Sequence, residues 1–410
     1  MTSRFSNSRL ISWMIWIIAS VFYAYQYVLR VMPNIMLTDI MQRFDIDAAT
    51  FGQFSGVYYI GYSLMHLPIG IMLDRYGPKR ILSACIILTV FGLSPLLFAD
   101  HWIYPMIGRF LIGLGSSAAI LGVFKIIRMA FKEQQFSRML SVSVTIGLIG
   151  AIYGGGPVNY LRETFGYEAV VYLFSAAGIV LALVAYWLVP NIKGESTPIR
   201  SDIREVLGNR KVIWCCVCAG LMVGPLEGFA DVWGTIFLKQ FGGLNDSVAA
   251  SLPSMIFIGM CFGSPLLSLI AEKVGSYLAT IIGAGIVMAA AFILLLACPM
   301  TSRILSLNFI VVGVCCAYQI LAIYLASTYV REQIAGLTTA LANMIIMTFG
   351  YLFHTIMGSM IEAKGGPTNG DALFYGVGVI PIALCLGSIG FFLLLIQERK
   401  NRKALQSAHE

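Results

Sequence analysis

The chain has 410 residues, of which 58% are hydrophobic and only 11% charged, with a formal net charge of +7. A soluble domain is about 25% charged and about 45–50% apolar, so this composition excludes an ordinary water-soluble fold and puts most of the chain in lipid. At ~20 apolar residues per spanning helix, the length allows roughly a dozen spans with short loops.

The opening segment, Met1 to Leu10, is polar, and the apolar run behind it is too long for a cleaved signal. Spans are predicted at about 11–38, 49–72, 80–99, 103–127, 138–160 and 169–190, then 212–238, 249–271, 277–298, 304–329, 336–361 and 373–396. The expectation is an all-α integral membrane protein with twelve transmembrane helices in two six-helix bundles. The one substantial polar interruption, Asn191 to Lys211, divides residues 1–190 from residues 212–410, which end in a short tail. Most of the 27 Lys and Arg fall in loops on one side, while the other side holds Arg43, Arg162, Lys239, Arg303 and Lys364. The positive-inside rule makes the base-rich side cytoplasmic, with both termini there. The net positive charge then reports topology and contact with anionic lipid, and nucleic acid is not an expected partner. The nine cysteines lie in apolar stretches without metal-ligand or disulfide spacing and read as small buried hydrophobes. No metal and no cofactor is expected.

After the second span, residues 70–80 read Gly-Ile-Met-Leu-Asp-Arg-Tyr-Gly-Pro-Lys-Arg, a tight, charged turn. This resembles the cytoplasmic loop signature of the major facilitator superfamily, G-x-x-x-D-R-x-G-x-[KR]-[KR], with every signature position filled. Residues 272–275, Glu-Lys-Val-Gly, repeat the acid, base, spacer and glycine at the end of the eighth span, as transporters built from internal repeats do. In the fourth span Arg109-Phe-Leu-Ile-Gly113-Leu-Gly115 resembles the superfamily's R-x-x-x-G-x-G element, whose glycines let helices approach closely. Within the superfamily, Tyr27-Val-Leu-Arg30-Val-Met-Pro33 and Phe124-Lys125-Ile-Ile look like bacterial nutrient-uptake members, a group with anion-type symporters and amino-acid transporters. The resemblance implies a monomeric secondary transporter in a bacterial inner membrane, working by alternating access. It further implies that Gly70, Asp74, Arg75, Gly77 and Arg80 form a gate. Asp74 would cap the eleventh span near Ala335 when the inner ends are closed, favouring the outward-open state.

Charges inside spans are costly, and each is a functional hypothesis. Arg30 shares a stripe with Tyr23 and Tyr27, with Gln26 adjoining, and a guanidinium fork beside phenols suits a carboxylate. The structural alternative pairs Arg30 with Asp231 or Glu227 and holds the halves together. Lys125 is a second candidate for an anion, unless it snorkels to the inner surface. Arg109 reads as an organiser of hydrogen bonds in the first half or a proton relay. Glu227 and Asp231 stand four apart in the seventh span, on one helix face. Two carboxylates so placed cannot both carry charge cheaply, which makes either a candidate for proton coupling. Pro225, Gly228 and Gly234 weaken that helix beside them. Gln319, Asn343 and His354 are further candidates to reach ligand, while His66 reads as packed.

The functional expectation is uptake of a small carboxylate-bearing solute by proton symport. The phosphate-binding loop G-x-x-x-x-G-K-[ST] is absent from the sequence, so the energy must come from an ion gradient or from the solute. Efflux stands second: Gly147, Gly150 and Gly154-Gly155-Gly156-Pro157 are glycine-rich, but their order departs from the drug-antiporter element. An intramembrane enzyme lacks a nucleophile–base or metal-binding pattern here, and a transporter-like receptor without flux is the remaining alternative.

Overall fold

The computed structural model describes residues 9–190 and 200–407. The linker residues 191–199 and the outermost termini, with Arg4 and Lys193, lie outside that range. Among the described residues every regular element is helical. Twelve helices are long and apolar enough to cross a membrane. The first six are Leu10–Ile35, Ala48–Tyr76, Pro78–Phe98, Ile103–Ala130, Arg138–Phe165 and Tyr167–Leu188. The last six are Arg210–Gln240, Asp246–Val274, Tyr277–Ala297, Ser302–Ser327, Glu332–Ala363 and Gly370–Lys400. They are numbered one to twelve below. Each begins and ends within a few residues of its predicted limits, because twenty apolar residues between polar turns leave a helix little freedom to start elsewhere.

Within the first six, span one packs on five and span four packs on two and three; within the last six, span seven packs on eleven and twelve and span eight on ten. Contact between the two groups runs through spans two and eleven, five and eight, and one and seven. Glycine sets how closely these helices approach. A Cβ on Gly113 would run into the Tyr58 carbonyl, and one on Gly115 into the Cys85 carbonyl. The span-five glycines serve in the same way: Gly147 lies against the Tyr23 ring and Gly150 against the Ala24 backbone. Without a hydrophobic drive between helices in lipid, such close approach supplies the packing energy.

Three details differ from the sequence reading. The signature segment is helical through Tyr76, and only Gly77, with φ 83°, makes the turn before Pro78 starts the next helix. Its echo ends likewise at Gly275, with φ 68°. The linker carries a short helix, Arg200–Gly208, which lies beside span eleven. Cys298 and Cys385 are exposed on the outer surface, not buried, since lipid accepts a small apolar side chain as readily as the interior does.

Gly113→Val should lower stability by about 1–3 kcal/mol, the usual cost of overpacking, because the obstacle is backbone. Gly283→Val, where a Cβ meets nothing within 4 Å, is the control. Thermal melting of the two purified variants measures the difference, and equal melting would refute the packing account.

Candidate functional site

The charged groups predicted in the spans converge at one place, on the seam between spans one and seven. The seventh span is an α-helix from Arg210 to Gly228, then a π-helical turn from Phe229 to Trp233, then α-helix again from Gly234. The local weakening expected from Pro225 and its neighbouring glycines takes this form, and the wide turn presents Asp231 to span one. Arg30 donates from Nε to Asp231 Oδ2 at 2.7 Å, and its Nη2 makes an ion pair with Glu227. Tyr59 of span two donates to Asp231 and, at 3.1 Å, approaches Glu227 Oε2. The guanidinium lies over the rings of Tyr27 and Tyr59, each 5.2 Å away. Asp231 is 1% exposed and Glu227 8%, so the second acid is the less enclosed. The outer carboxylate oxygen of Asp231, Oδ1, is buried without a hydrogen-bond partner.

Arg30 is held from behind. Arg109 donates from Nη1 to the Leu29 carbonyl at 2.5 Å and from Nη2 to the Arg30 carbonyl at 2.6 Å. It also lies over the Tyr58 ring, and Tyr58 in turn donates to Gln26 Oε1 at 2.7 Å. The arginine of the second motif therefore fixes the backbone of span one at the residue that meets the acids. Gln26 is thereby tied to span two. One turn beyond Arg30, Asn34 donates to the Ala230 carbonyl at 3.2 Å, a second rung between spans one and seven.

Below this cluster the polar groups are looser. Asn343 accepts from Gln319 Nε2 at 3.5 Å, so spans eleven and ten are joined by side chains. Tyr23 meets Tyr27 edge-on at 5.2 Å. Two turns along the same helix faces, toward the base-rich loops, Gly70 and Gly336 have nothing within 4 Å of an added Cβ. Spans two and eleven thus touch at the end opposite the base-rich loops, where Gly52, Gly56 and Gly358 meet backbone, and make no such contact at Gly70 or Gly336 on the base-rich side.

The remaining candidates lie apart from the cluster. Lys125 bonds Asp74 Oδ1 at 2.6 Å, near the base-rich end. Asp74 is therefore held within the first half, and does not cap span eleven in this conformation. Arg75 and Arg80 are exposed at the surface. His354 is 1% exposed, donates from Nδ1 to the Gly350 carbonyl at 2.6 Å, and packs its ring on Tyr59 at 5.3 Å. It belongs to the closed part of the seam. His66 is 5% exposed and packed against Tyr62. Tyr59 and Asn34 were not singled out by the sequence reading. The only signal for Tyr59 was its place beside Tyr58, and it faces the other half because consecutive residues of a helix point about 100° apart.

A sequence profile of the Major Facilitator Superfamily matches residues 15–355. Among curated proteins, the putative metabolite transport protein NicT of Pseudomonas putida is 20% identical over 57% of this chain and 54% of its own length. The chain thus spans about half the length of that relative. The probable galactarate/D-glucarate transporter GudP of Bacillus subtilis is 23% identical over 96% of this chain and 95% of its own. Among solved structures, a bacterial homolog of the human lysosomal transporter Spinster, inward-facing and unoccupied, superposes with a TM-score of 0.74 at 18% identity, over 94% of this chain and 97% of that one. The nucleoside transporter NupG has a TM-score of 0.74 at 14% identity, covering 92% and 99%. At these identities the structures establish the shared fold.

Removing one partner of a buried ion pair costs about 3–5 kcal/mol, because the other charge is left unpaired. Arg30→Gln should therefore melt well below wild type near neutrality. Melting curves of wild type and variant test this, and equal melting would refute it.

Proposed function

We propose, from the premise that the chain belongs to the Major Facilitator Superfamily, that it is a secondary active transporter importing a small carboxylate-bearing solute with protons. The observation that carries this reading is the Arg30 guanidinium, already shared by two carboxylates at the closed end of the central space. A fork that holds two carboxylates side by side will accept a third in place of one of them. Glu227 is the one to be replaced, since it is the less enclosed and Asp231 is held by both Arg30 and Tyr59. Tyr23, Tyr27, Gln319 and Asn343 then supply donors and apolar ring surface for the rest of the solute.

The same exchange couples the solute to a proton. Arg30 alone contacts the two acids, and the second positive charge of the site, Arg109, is turned to the backbone carbonyls behind it, so one carboxylate has no cation of its own. A proton on Glu227 removes its negative charge and releases its hold on Arg30 Nη2, so the solute carboxylate enters with the proton. The base-rich end is read as cytoplasmic, with both termini there and the protein in the inner membrane of a bacterium, acting as a monomer. The two bundles, residues 1–190 and 212–410 joined by the 191–211 linker, rock about this site. The present conformation, closed at the opposite end and open on the base-rich side, is the state that releases solute inward. Efflux is the weaker reading, because the span-five glycines are accounted for by packing on Tyr23 and Ala24.

A panel of amino acids, dipeptides, organic acids, sugar acids and nucleosides, screened by thermal shift, tests the solute class. A ligand specific to the folded state raises stability by about 2.7 kcal/mol at a hundred times its dissociation constant. The expected hit carries a carboxylate, and its shift is lost in Arg30→Lys, which keeps the charge but not the fork. A shift that survives would remove Arg30 from the site. In proteoliposomes, wild-type uptake should fall as external pH rises, since protons enter with solute. Glu227→Gln should abolish gradient-driven accumulation while solute exchange continues; accumulation that persists in this variant would exclude Glu227 as the proton carrier.

A further inference from the structure

Spans two and eleven run antiparallel and are in contact at the end opposite the base-rich loops. There Gly52 and Gly56 lie against the backbone of His354 and Tyr351, and Gly358 lies against Ala48. At this contact Glu362, near the end of span eleven, accepts a hydrogen bond from the backbone N–H of Ala48, the first residue of span two, with 3.0 Å to Oε2. A helix start leaves its first N–H groups without partners inside the helix and carries the positive end of the helix dipole. Span two serves these groups with two carboxylates: Asp47, its own cap, takes the Thr50 N–H at 2.7 Å, and Glu362 reaches across from the other half.

The same two helices carry the inverse arrangement at their other ends. Asp74 sits in the last turns of span two, and the start of span eleven lies on the same side. Here an added Cβ at Gly70 or Gly336 meets nothing, and Asp74 is bonded to Lys125 of its own half. One acid is engaged across the seam and the other is not.

We propose that Glu362 is a gating residue, an outer latch that holds the inward-open state by capping span two, the inverse of the gate that the loop signature already implies for Asp74. The inference rests on the alternating-access reading above. Each acid sits at the carboxyl end of its helix, where the dipole disfavours a negative charge, and gains by meeting the amino end of the partner helix. Because rocking closes one end as it opens the other, only one of these contacts exists at a time. The glycines at the outer contact let the helices come close enough for the Glu362 side chain to span the gap. A carboxylate at a helix start contributes about 1 kcal/mol, which corresponds to about a five-fold bias between the two states.

The test is the distance distribution between spin labels at Gln42 and Ala363, both exposed on the outer side of their halves, in nanodiscs. The background carries serine at Cys261, Cys298 and Cys385, the cysteines that are not buried. Wild type should show a short and a long population. Glu362→Gln should raise the long-to-short ratio about five-fold, Asp74→Asn should lower it, and the double variant should return it toward wild type. If Glu362→Gln folds poorly, Glu362→Asp, which keeps the charge on a shorter stem, should shift the ratio the same way by less. A ratio unchanged in variants that melt like wild type would overturn the latch. A single wild-type distance at every pH and with every ligand of the panel would overturn the alternating-access reading, and the latch with it.

Discussion

A guanidinium in the interior of a membrane protein must be paired, and the arrangement around Arg30 follows from that constraint. A charge at the centre of a span costs a few kcal/mol even on insertion scales, so its partners must come from another helix and must be held to meet it. Two carboxylates from span seven do so, and a phenol from span two donates to one of them. Arg109 braces the carbonyl at the back of the same residue. The cluster ties together four helices and both halves of the chain, which makes one electrostatic contact both a closure and a candidate binding site.

The irregular turn of span seven is part of the same solution. A straight α-helix would carry Glu227 and Asp231 on one face one turn apart. The π-helical turn at Phe229–Trp233 shifts Asp231 relative to that face and leaves its outer oxygen without a partner. Such turns are inserted where a side chain has to be aimed, at the expense of regular hydrogen bonding. Here the result is that one guanidinium reaches both acids, and that the acids differ: Asp231 is enclosed and doubly held, while Glu227 borders the central space.

Around this cluster, the seam between the halves is graded. At one end glycines of spans two and eleven allow backbone-to-backbone contact, sealed by Tyr59 and His354. Further along, the Tyr59 ring lies against Gly350. Beyond them, at Gly70 and Gly336, no such contact is made. A seam that depends on small residues and a few polar contacts is stable when closed and inexpensive to open, unlike the interior of each bundle, where large side chains interdigitate.

The fold was legible in the sequence because lipid removes alternatives. Backbone groups can be satisfied there only within a helix, so apolar runs of the right length between polar turns specify spans, and the loop signature and its echo specify a two-fold repeat. The identity of the charged residues was legible for the same reason, as each stands out in an apolar run. Their pairing was not. Helical spacing places Glu227 and Asp231 on one face, but whether that face meets Arg30 depends on the crossing of spans one and seven, some two hundred positions apart in the chain. Likewise the sequence offered Lys125 to a ligand and Asp74 to span eleven, but gave no sign that the packing of span four on span two joins these two to each other in this conformation. Tyr59 and Glu362 carry no motif at all; their roles arise only because spans two and eleven cross where they do. The sequence by itself determined which segments cross the membrane and which residues were too costly to be there without a purpose. The tertiary structure decided their partners, because a short-range contact between helices depends on interaxial geometry that no single helix encodes.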